Sequence, residues 1–558
     1  MPVELLKKTV GAFSRGERRT FLASLGLFIT ATVSLVIVVL ATATKAVPAR
    51  GGSYIEGLVG QPVYINPVLA NSEADKNLVR LIFSNVTELA ARIEQDPKAE
   101  GRVWRIRLKD NLFWHDGERL TSDDIVFTIQ SIQDPGSQSP LAASWQGVFA
   151  TRLSELEFQL NLASPYAFFE ENLEALYVLP KHLYADVPPA NWRLSQYNLE
   201  PIGSGPYRFE SYDKRNDGFI SSYRLSANSK NPEGEPFIQG LSLRFFLQTE
   251  DLIKSFNAGR IDGWVSVEPD QLSAIKRPHQ MFSFKLPSYY AVFFNQSKNP
   301  LLKEESVRKA LSLSTNRTTI VENIFNGRAT LVDGPLPPEV RNGASSDASS
   351  FSPDAARMLL EGSGWKMNGE GLPAGRQARE KTAGREVIPL HITLTVPRVP
   401  FLVKTARQLQ EDWQRVGFSV ELATVSPEET ADTVIKNRDY ELLLYGNVLS
   451  PSIDLFSFWH SSERFYPGLN LSLYSNKTVD SLIETIRENL DNDDRADQLE
   501  RLHESIAADS PAVFLVAPDY LYVATRELKG VNPGVISETS ERFRNIHQWY
   551  LKTARVFK

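Results

Sequence analysis

The chain has 558 residues, with 61 basic and 67 acidic side chains, a net charge of −6 and 42% apolar residues. That length calls for two or three lobes rather than one simple core, and the ordinary apolar content excludes a disordered, collagen-like or polytopic membrane chain. No cysteine is present, which excludes disulfides, thiolate metal sites, a thiol nucleophile and a lipid-modified N-terminal cysteine.

The first expected element is a membrane span. Between Arg19 and Lys45 lie 25 residues without a charge, and their core, residues 21–42, holds 22. At 1.5 Å per residue this core reaches about 33 Å, the thickness of a bilayer's hydrocarbon layer. Lys7, Lys8, Arg15, Arg18 and Arg19 precede it, and only Lys45 and Arg50 closely follow. The positive-inside rule therefore assigns residues 1–20 to the cytoplasm, 21–44 to a transmembrane anchor, 45–50 to a linker, and the rest to the outside. The rival is a signal peptide cut near Ala41-Thr42-Ala43, for which the apolar run is too long. Leu5, Leu6, Val10 and Phe13 stand near helical spacing and offer a small apolar face to a partner or the membrane. Residues 1–50 carry a net +5 and the remainder −11, so the outer part has no electrostatic reason to bind nucleic acid.

Beyond the anchor, SYIEGLVGQPVYINP predicts a strand bearing Tyr54, Ile55, Leu58 and Val59 and ending at Gln61-Pro62. Leu78, Leu81, Ile82 and Leu89 then recur at helical spacing behind Ser72 as N-cap. VWRIRL alternates as a strand, residues 115–118 form a turn, and Thr121 and Asp124 open the helix IVFTIQSI as a capping box. Short strands and prolines fill residues 153–224. Strand, helix and strand follow over LSLRFFLQTEDLIKSFNAGRIDGWVSV, the helix stopping at Gly259. The rhythm returns over PLHITLTVP and FLVKTARQLQEDWQRVGFSVELATV, where Val403, Ala406, Leu409, Trp413 and Val416 point inward in a β-α-β unit. Residues 368–386, rich in glycine and charge, are expected to be an exposed loop. The fold class is mixed α/β in at least two lobes.

Local chemistry is sparse. Seven histidines are scattered, no two within 40 residues of each other, and no HExxH occurs. Gly203-Ser204-Gly205-Pro206 is neither a nucleophile elbow nor a phosphate loop. Asp123/Asp124 and Glu304/Glu305 sit at helix starts, where they complement the dipole. No catalytic residue, metal or cofactor is expected. Tyr289-Tyr290 and Phe458-Trp459-His460 put aromatics at strand-to-loop junctions. The ordinary reading is core packing, and the functional one is an aromatic-lined ligand cleft.

Seven segments in order resemble one family over residues 51–529: GGSYIEGLVGQPVYINPVLA; LVRLIFSNV; WRIRLKDNLFWHDGERLTSDDIVFTI; GSGPYRFESY; FNAGRIDGW; YYAVFFNQSKNPLLKEESVRKALSLSTNR; and GLNLSLYSNKTVDSLIETIREN. The third, with its WHDG turn, is the most specific. The set resembles the family 5 extracellular solute-binding proteins, the peptide- and nickel-binding receptors of ABC importers. The resemblance implies a two-lobed, periplasmic-binding-protein-like (type II) fold with an extra subdomain in the first lobe. It divides the outer part into first lobe (51–75, 196–285 and 515–558), extra subdomain (76–195) and second lobe (286–514).

Peptide-binding members hold the ligand's amino group with an aspartate in a segment that resembles LLLYGNVLSPSIDLF. Tyr445, Gly446 and Asn447 fall there, Asn447 in the aspartate's place and Ser450-Pro451 where Asp-Pro is common. An amide lacks the charge that strengthens a bond to an ammonium, which argues against a free peptide N-terminus as the recognised group. Ser72, Glu73 and Ala74 are expected to meet the peptide backbone, with Glu73 a substitute anion, and Tyr289, Tyr290, Trp459, His460 and Asn470 to face the cleft. The expected function is a membrane-anchored extracytoplasmic receptor, a monomer, passing an oligopeptide-like ligand to ABC permease subunits in the membrane. The alternatives are a tethered sensor or scaffold of the same fold and an extracytoplasmic hydrolase, the latter needing a cleft nucleophile beside a base.

Overall fold

In a computed structural model, the described residues are 12–96, 98–266, 269–341, 351–368, 378–449 and 453–557. Leu5, Leu6, Val10 and Ser450-Pro451 lie outside them.

A helix spans Arg15–Ala43, opened by a capping box in which Ser14 and Glu17 bond each other's backbone N–H. Its stretch Arg15–Val38 is long and apolar enough to cross a membrane, and none of it is buried against the body. Thr20, Thr30, Thr32 and Thr42 each turn the hydroxyl back onto the carbonyl four residues earlier, which satisfies these donors within the helix itself. The next segment corrects the linker expectation. Thr44–Ala49 is a strand, paired antiparallel with Lys552–Phe557 at the far end of the chain.

Two sheet halves share one long strand, Ala512–Ala524. Its residues 521–524 pair with Gly263–Ser266, and Ser53–Val59 and Gly240–Phe246 continue in parallel from there. Ile220–Ala227 and Tyr207–Lys214 close that side. At the other end, Ser288–Phe294 pairs with residues 512–516 of the long strand and on its other edge with Leu442–Val448. His391–Pro397 and Ser419–Val425, joined by the helix Pro400–Gln414, complete the expected β-α-β unit in parallel. The chain is thus a two-lobed α/β fold.

Strand alternation divides the second lobe's core in two. Val292, Phe294, Leu442 and Leu444 pack on one face of the sheet, whereas Tyr289, Ala291, Phe293 and Leu443 pack on the other. A separate four-stranded antiparallel sheet, in the order Ala90–Gln95, Val103–Leu108, Glu157–Leu162 and Val148–Arg152, belongs with the first lobe's core. Part of the expected loop at 368–386 is also a sheet. Ala378–Ala383 pairs with Lys366–Asn368 and with Glu386–Pro389. Its charge misled because Arg379 is 1% exposed, its guanidinium donating to the carbonyls of Val416 and Trp365 and to Glu361.

Candidate ligand-binding site

The pairing of Ser288–Phe294 with Leu442–Val448 sets Tyr289 opposite Asn447, Tyr290 opposite Gly446 and Ala291 opposite Tyr445. Directly opposed residues share a face, so Tyr289, Asn447 and Tyr445 lie on one side and Tyr290 on the other. The Tyr289 hydroxyl accepts from Asn447 Nδ2 at 3.1 Å and from Trp459 Nε1 at 3.2 Å. All three residues are buried, and burial raises the Tyr289 pKa, so the phenol stays neutral. Tyr290 packs edge-on against Phe401 at 5.2 Å, and burial pushes its pKa up to about 12. Gly446 leaves room for that ring, since a Cβ there would stand 2.8 Å from Tyr290 Cε1. Tyr445 is half-buried, with its hydroxyl pKa raised by the same cause.

Trp459 ends the short helix Phe456–Trp459, and His460 stacks on Phe456 at 4.3 Å. His460 Nδ1 accepts the Ser462 N–H at 3.2 Å, and Nε2 faces Glu484 at 3.4 Å. Asn470 is fully buried: its Nδ2 donates to the carbonyls of His460 and Tyr474, and its Oδ1 accepts the Tyr474 N–H. Asn470 therefore fixes the loop carrying His460 and presents nothing to a ligand.

Ser72, Glu73 and Ala74 occupy a separate neighbourhood. Ser72 caps the helix Glu73–Ile82 and donates to Asp75 Oδ2 at 2.6 Å, while Asp75 Oδ1 accepts from the N–H groups of Val63 and Tyr64. Ala74 is buried, and Glu73 is exposed. Its carboxylate acts electrostatically on Tyr520 and Arg542.

A cavity of 1120 Å³ opens among the described residues. Residues 143–175 wall one side, and residues 448–488 the other. Val448, the neighbour of Asn447, lines it, as do Phe456 and Glu484, which flank His460. Glu171, Asp454, Glu484 and Glu488 outnumber Arg487 on its walls. A bridge closes one end. The Tyr166 hydroxyl and Arg487 Nε both donate to Asp454 Oδ2, at 3.0 and 3.1 Å. The Ala167 N–H donates to the Arg487 carbonyl at 2.7 Å, and the guanidinium lies 4.3 Å from the Phe456 ring centre. Sequence reasoning missed Tyr166, Asp454 and Arg487. The one local hint is PYAFF after a loop, since the partners lie about 300 residues downstream.

The motif residues turn out to be structural. His115 of the WHDG turn holds the GSGP loop: Nε2 donates to the Gly205 carbonyl at 3.1 Å, and Nδ1 accepts the Gly203 N–H at 3.3 Å. A Cβ on Gly203 would overlap the Ile82 carbonyl oxygen, and one on Gly205 would stand 2.7 Å from that of Phe83. Among the described residues, no group of three or more His, Asp or Glu side chains is placed to hold a metal.

Residues 65–465 match the family described as bacterial extracellular solute-binding proteins, family 5 Middle. The chain belongs to this family. Among the curated members of family 5, the oligopeptide-binding protein AppA of Bacillus subtilis is 24% identical over 90% of this chain and 92% of its own length. The probable D,D-dipeptide-binding periplasmic protein DdpA of Escherichia coli is 24% identical over 77% of this chain and 79% of its own. Among solved structures, the substrate-binding protein CtaP of Listeria monocytogenes superposes with a TM-score of 0.74 at 22% identity, over 90% of this chain and 99% of its own. AppA of Bacillus subtilis in complex with a nonapeptide gives 0.68 at 22%, over 91% and 100%. These likenesses establish the two-lobed family 5 fold.

Proposed function

We propose that this protein is the membrane-tethered extracytoplasmic receptor of an ABC importer, and that it encloses an oligopeptide-like ligand between its lobes. The observation that carries the reading is the 1120 Å³ cavity walled from both sides of the molecule, which exceeds the usual small-molecule pocket of roughly 300–1000 Å³. Two curated relatives are named for oligopeptide and D,D-dipeptide binding. The lobes are taken as 51–75, 196–285 and 515–558 for the first, 76–195 for its subdomain and 286–514 for the second. The receptor acts as a monomer and delivers to permease subunits in the membrane. It uses no cofactor and carries out no covalent step. Closure of the lobes on the ligand, through higher affinity of the closed state, is the whole mechanism.

The strand carrying Tyr445 and Asn447 reaches the ligand chamber at Val448, but Asn447 does not act as an ionic clamp, because its buried amide carries no charge and turns its Nδ2 to Tyr289. The chamber's carboxylates attract an ammonium only through screened, distributed charge. Free-amine and N-acetylated forms of one peptide are accordingly expected to bind within tenfold of each other in calorimetry, and a larger preference for the free amine, above about 1.4 kcal/mol, overturns this assignment. Mass spectrometry of material released from the natively purified receptor tests the ligand class: peptides support it, and a non-peptide ligand alone overturns it. The helix Arg15–Ala43 is read as a retained anchor, so the mature native chain is expected to begin near Met1 or Pro2. A mature N-terminus near Thr44 overturns the tether.

A further inference from the structure

The anchor helix does not lead into a flexible leash. Helix residue Ala43 is followed at once by the strand Thr44–Ala49, which is clasped by Lys552–Phe557. The register sets Thr44 opposite Phe557 and Lys45 opposite Val556. The tip of the distant strand therefore sits level with the end of the helix, where the apolar run stops. Phe557 is 74% exposed and Val556 40%. Neither has a packing reason to be apolar. Every residue of Lys552–Phe557 is exposed, as are Lys45, Ala46 and Pro48 on the paired strand, whereas Thr44 is buried at the helix end.

Charge follows the same axis. Residues 44–50 and 551–557 contain Lys45, Arg50, Lys552 and Arg555 and no acidic residue, although the chain beyond residue 50 carries a net −11. At about 3.4 Å per residue, Arg555 stands about 7 Å and Lys552 about 17 Å from the level of Phe557. Apolar side chains at the helix end, cations one headgroup layer above and further cations beyond that form the depth profile of a bilayer surface bearing phosphates. Arg50, at the far end, is already engaged with Glu235 at 2.7 Å.

We propose that the ribbon of Thr44–Ala49 and Lys552–Phe557 is a second membrane contact, seating Val556 and Phe557 in the outer interface and Lys45, Arg555 and Lys552 among anionic lipid headgroups. The inference rests on the tether reading above. The contact joins both ends of the body to the membrane, so the receptor is held at a fixed height and orientation over the bilayer in which its permease lies.

The absence of cysteine makes the test direct, because any introduced thiol is the sole labelling site. Nitroxides are placed by Phe557→Cys, by Val556→Cys as an independent second site, by Val36→Cys in the helix and by Leu194→Cys on the body, where Leu194 is 86% exposed. Each full-length variant is reconstituted into phosphatidylcholine vesicles with and without phosphatidylglycerol, and collision with an aqueous nickel chelate is measured. Labels at 557 and 556 are expected to lose chelate accessibility relative to 194, and to lose more of it when phosphatidylglycerol is present. If 36 is shielded while 557 and 556 are as accessible as 194, the ribbon contact is overturned and the anchor stands. If 36 is itself accessible, the anchor is overturned and the ribbon contact with it.

Discussion

His115 is a neutral imidazole by construction, since one ring nitrogen donates to the Gly205 carbonyl while the other accepts the Gly203 N–H. Burial pulls its pKa down from 6.5 to about 4. Between those values the unfolded chain binds the proton and the folded chain does not, so stability is fully present above pH 6.5 and falls as the pH drops toward 4. The full shift corresponds to about 3 kcal/mol. In urea titrations at pH 7 and pH 5, the loss for the wild-type chain is expected to exceed that for His115→Gln, and equal losses would refute the role. Tyr289 makes a different prediction. Tyr289→Phe removes the acceptor shared by Asn447 and Trp459 and strands two buried donors, at a cost of about 2 kcal/mol or more. Peptide affinity in the stable fraction should change little if the three residues serve the fold, whereas a large affinity loss at unchanged stability would return Tyr289 to the ligand.

Between elements, the decisive contact is the approach of the GSGP loop to the end of the helix Glu73–Ile82. Gly203 presses on the Ile82 carbonyl, and the Gly205 N–H donates to it at 2.8 Å. Gly203→Ala forces backbone against backbone, with an expected loss of about 3 kcal/mol, read as a lower urea midpoint at unchanged slope. Gly534→Ala, where φ is not positive and a Cβ meets nothing within 4 Å, serves as the control for loss of a glycine without a clash. The elements themselves were legible from periodicity. Ser72 and Thr121 cap the helices their spacing predicts, and the β-α-β unit at Trp413 is parallel as expected. What escaped has a physical reason. Arg379 hides a strand because its guanidinium is held by carbonyls and by Glu361, partners that only the folded chain supplies, and the strand Thr44–Ala49 exists only because Lys552–Phe557, about 500 residues away, pairs with it. The cavity was illegible for the same reason, each wall being ordinary loop and helix sequence until the other is present. Aromatic-rich junctions pointed near the site: Phe458 lines it, whereas Tyr289 and Trp459 are buried in the core.

Across the whole molecule, two unlike kinds of contact between the halves bear on closure. One is covalent and sheet-like. The long strand Ala512–Ala524 and the turn between Gln280–Lys285 and Ser288–Phe294 cross from one half to the other, with Lys285 held to Asp519 at 2.5 Å. For the proposed closure of the lobes, that crossing is the axis. The other is the bridge at the cavity, where Tyr166 bonds Asp454 and the Ala167 N–H bonds the Arg487 carbonyl, contacts that must break for its walls to part. Asp454 and Arg487 are 14% and 35% exposed, so the pair is partly screened, and about 1.4 kcal/mol is a reasonable loss when the charge is removed. Asp454→Asn keeps the shape and the Phe456 N–H contact while weakening the Tyr166 bond across the cavity and the Arg487 pair within one wall. If the bridge holds the closed state, a smaller closed fraction raises the apparent Kd about tenfold. The change should appear as faster peptide release in stopped flow, with association and the urea midpoint of the unliganded chain little altered. Scattering in the presence of peptide should show a larger radius for the variant at equal occupancy. An unchanged release rate would mean that the Asp454 bridge is a static contact and that closure rests on the other contacts between the halves, among them Lys285 with Asp519 and Lys404 with Asp270.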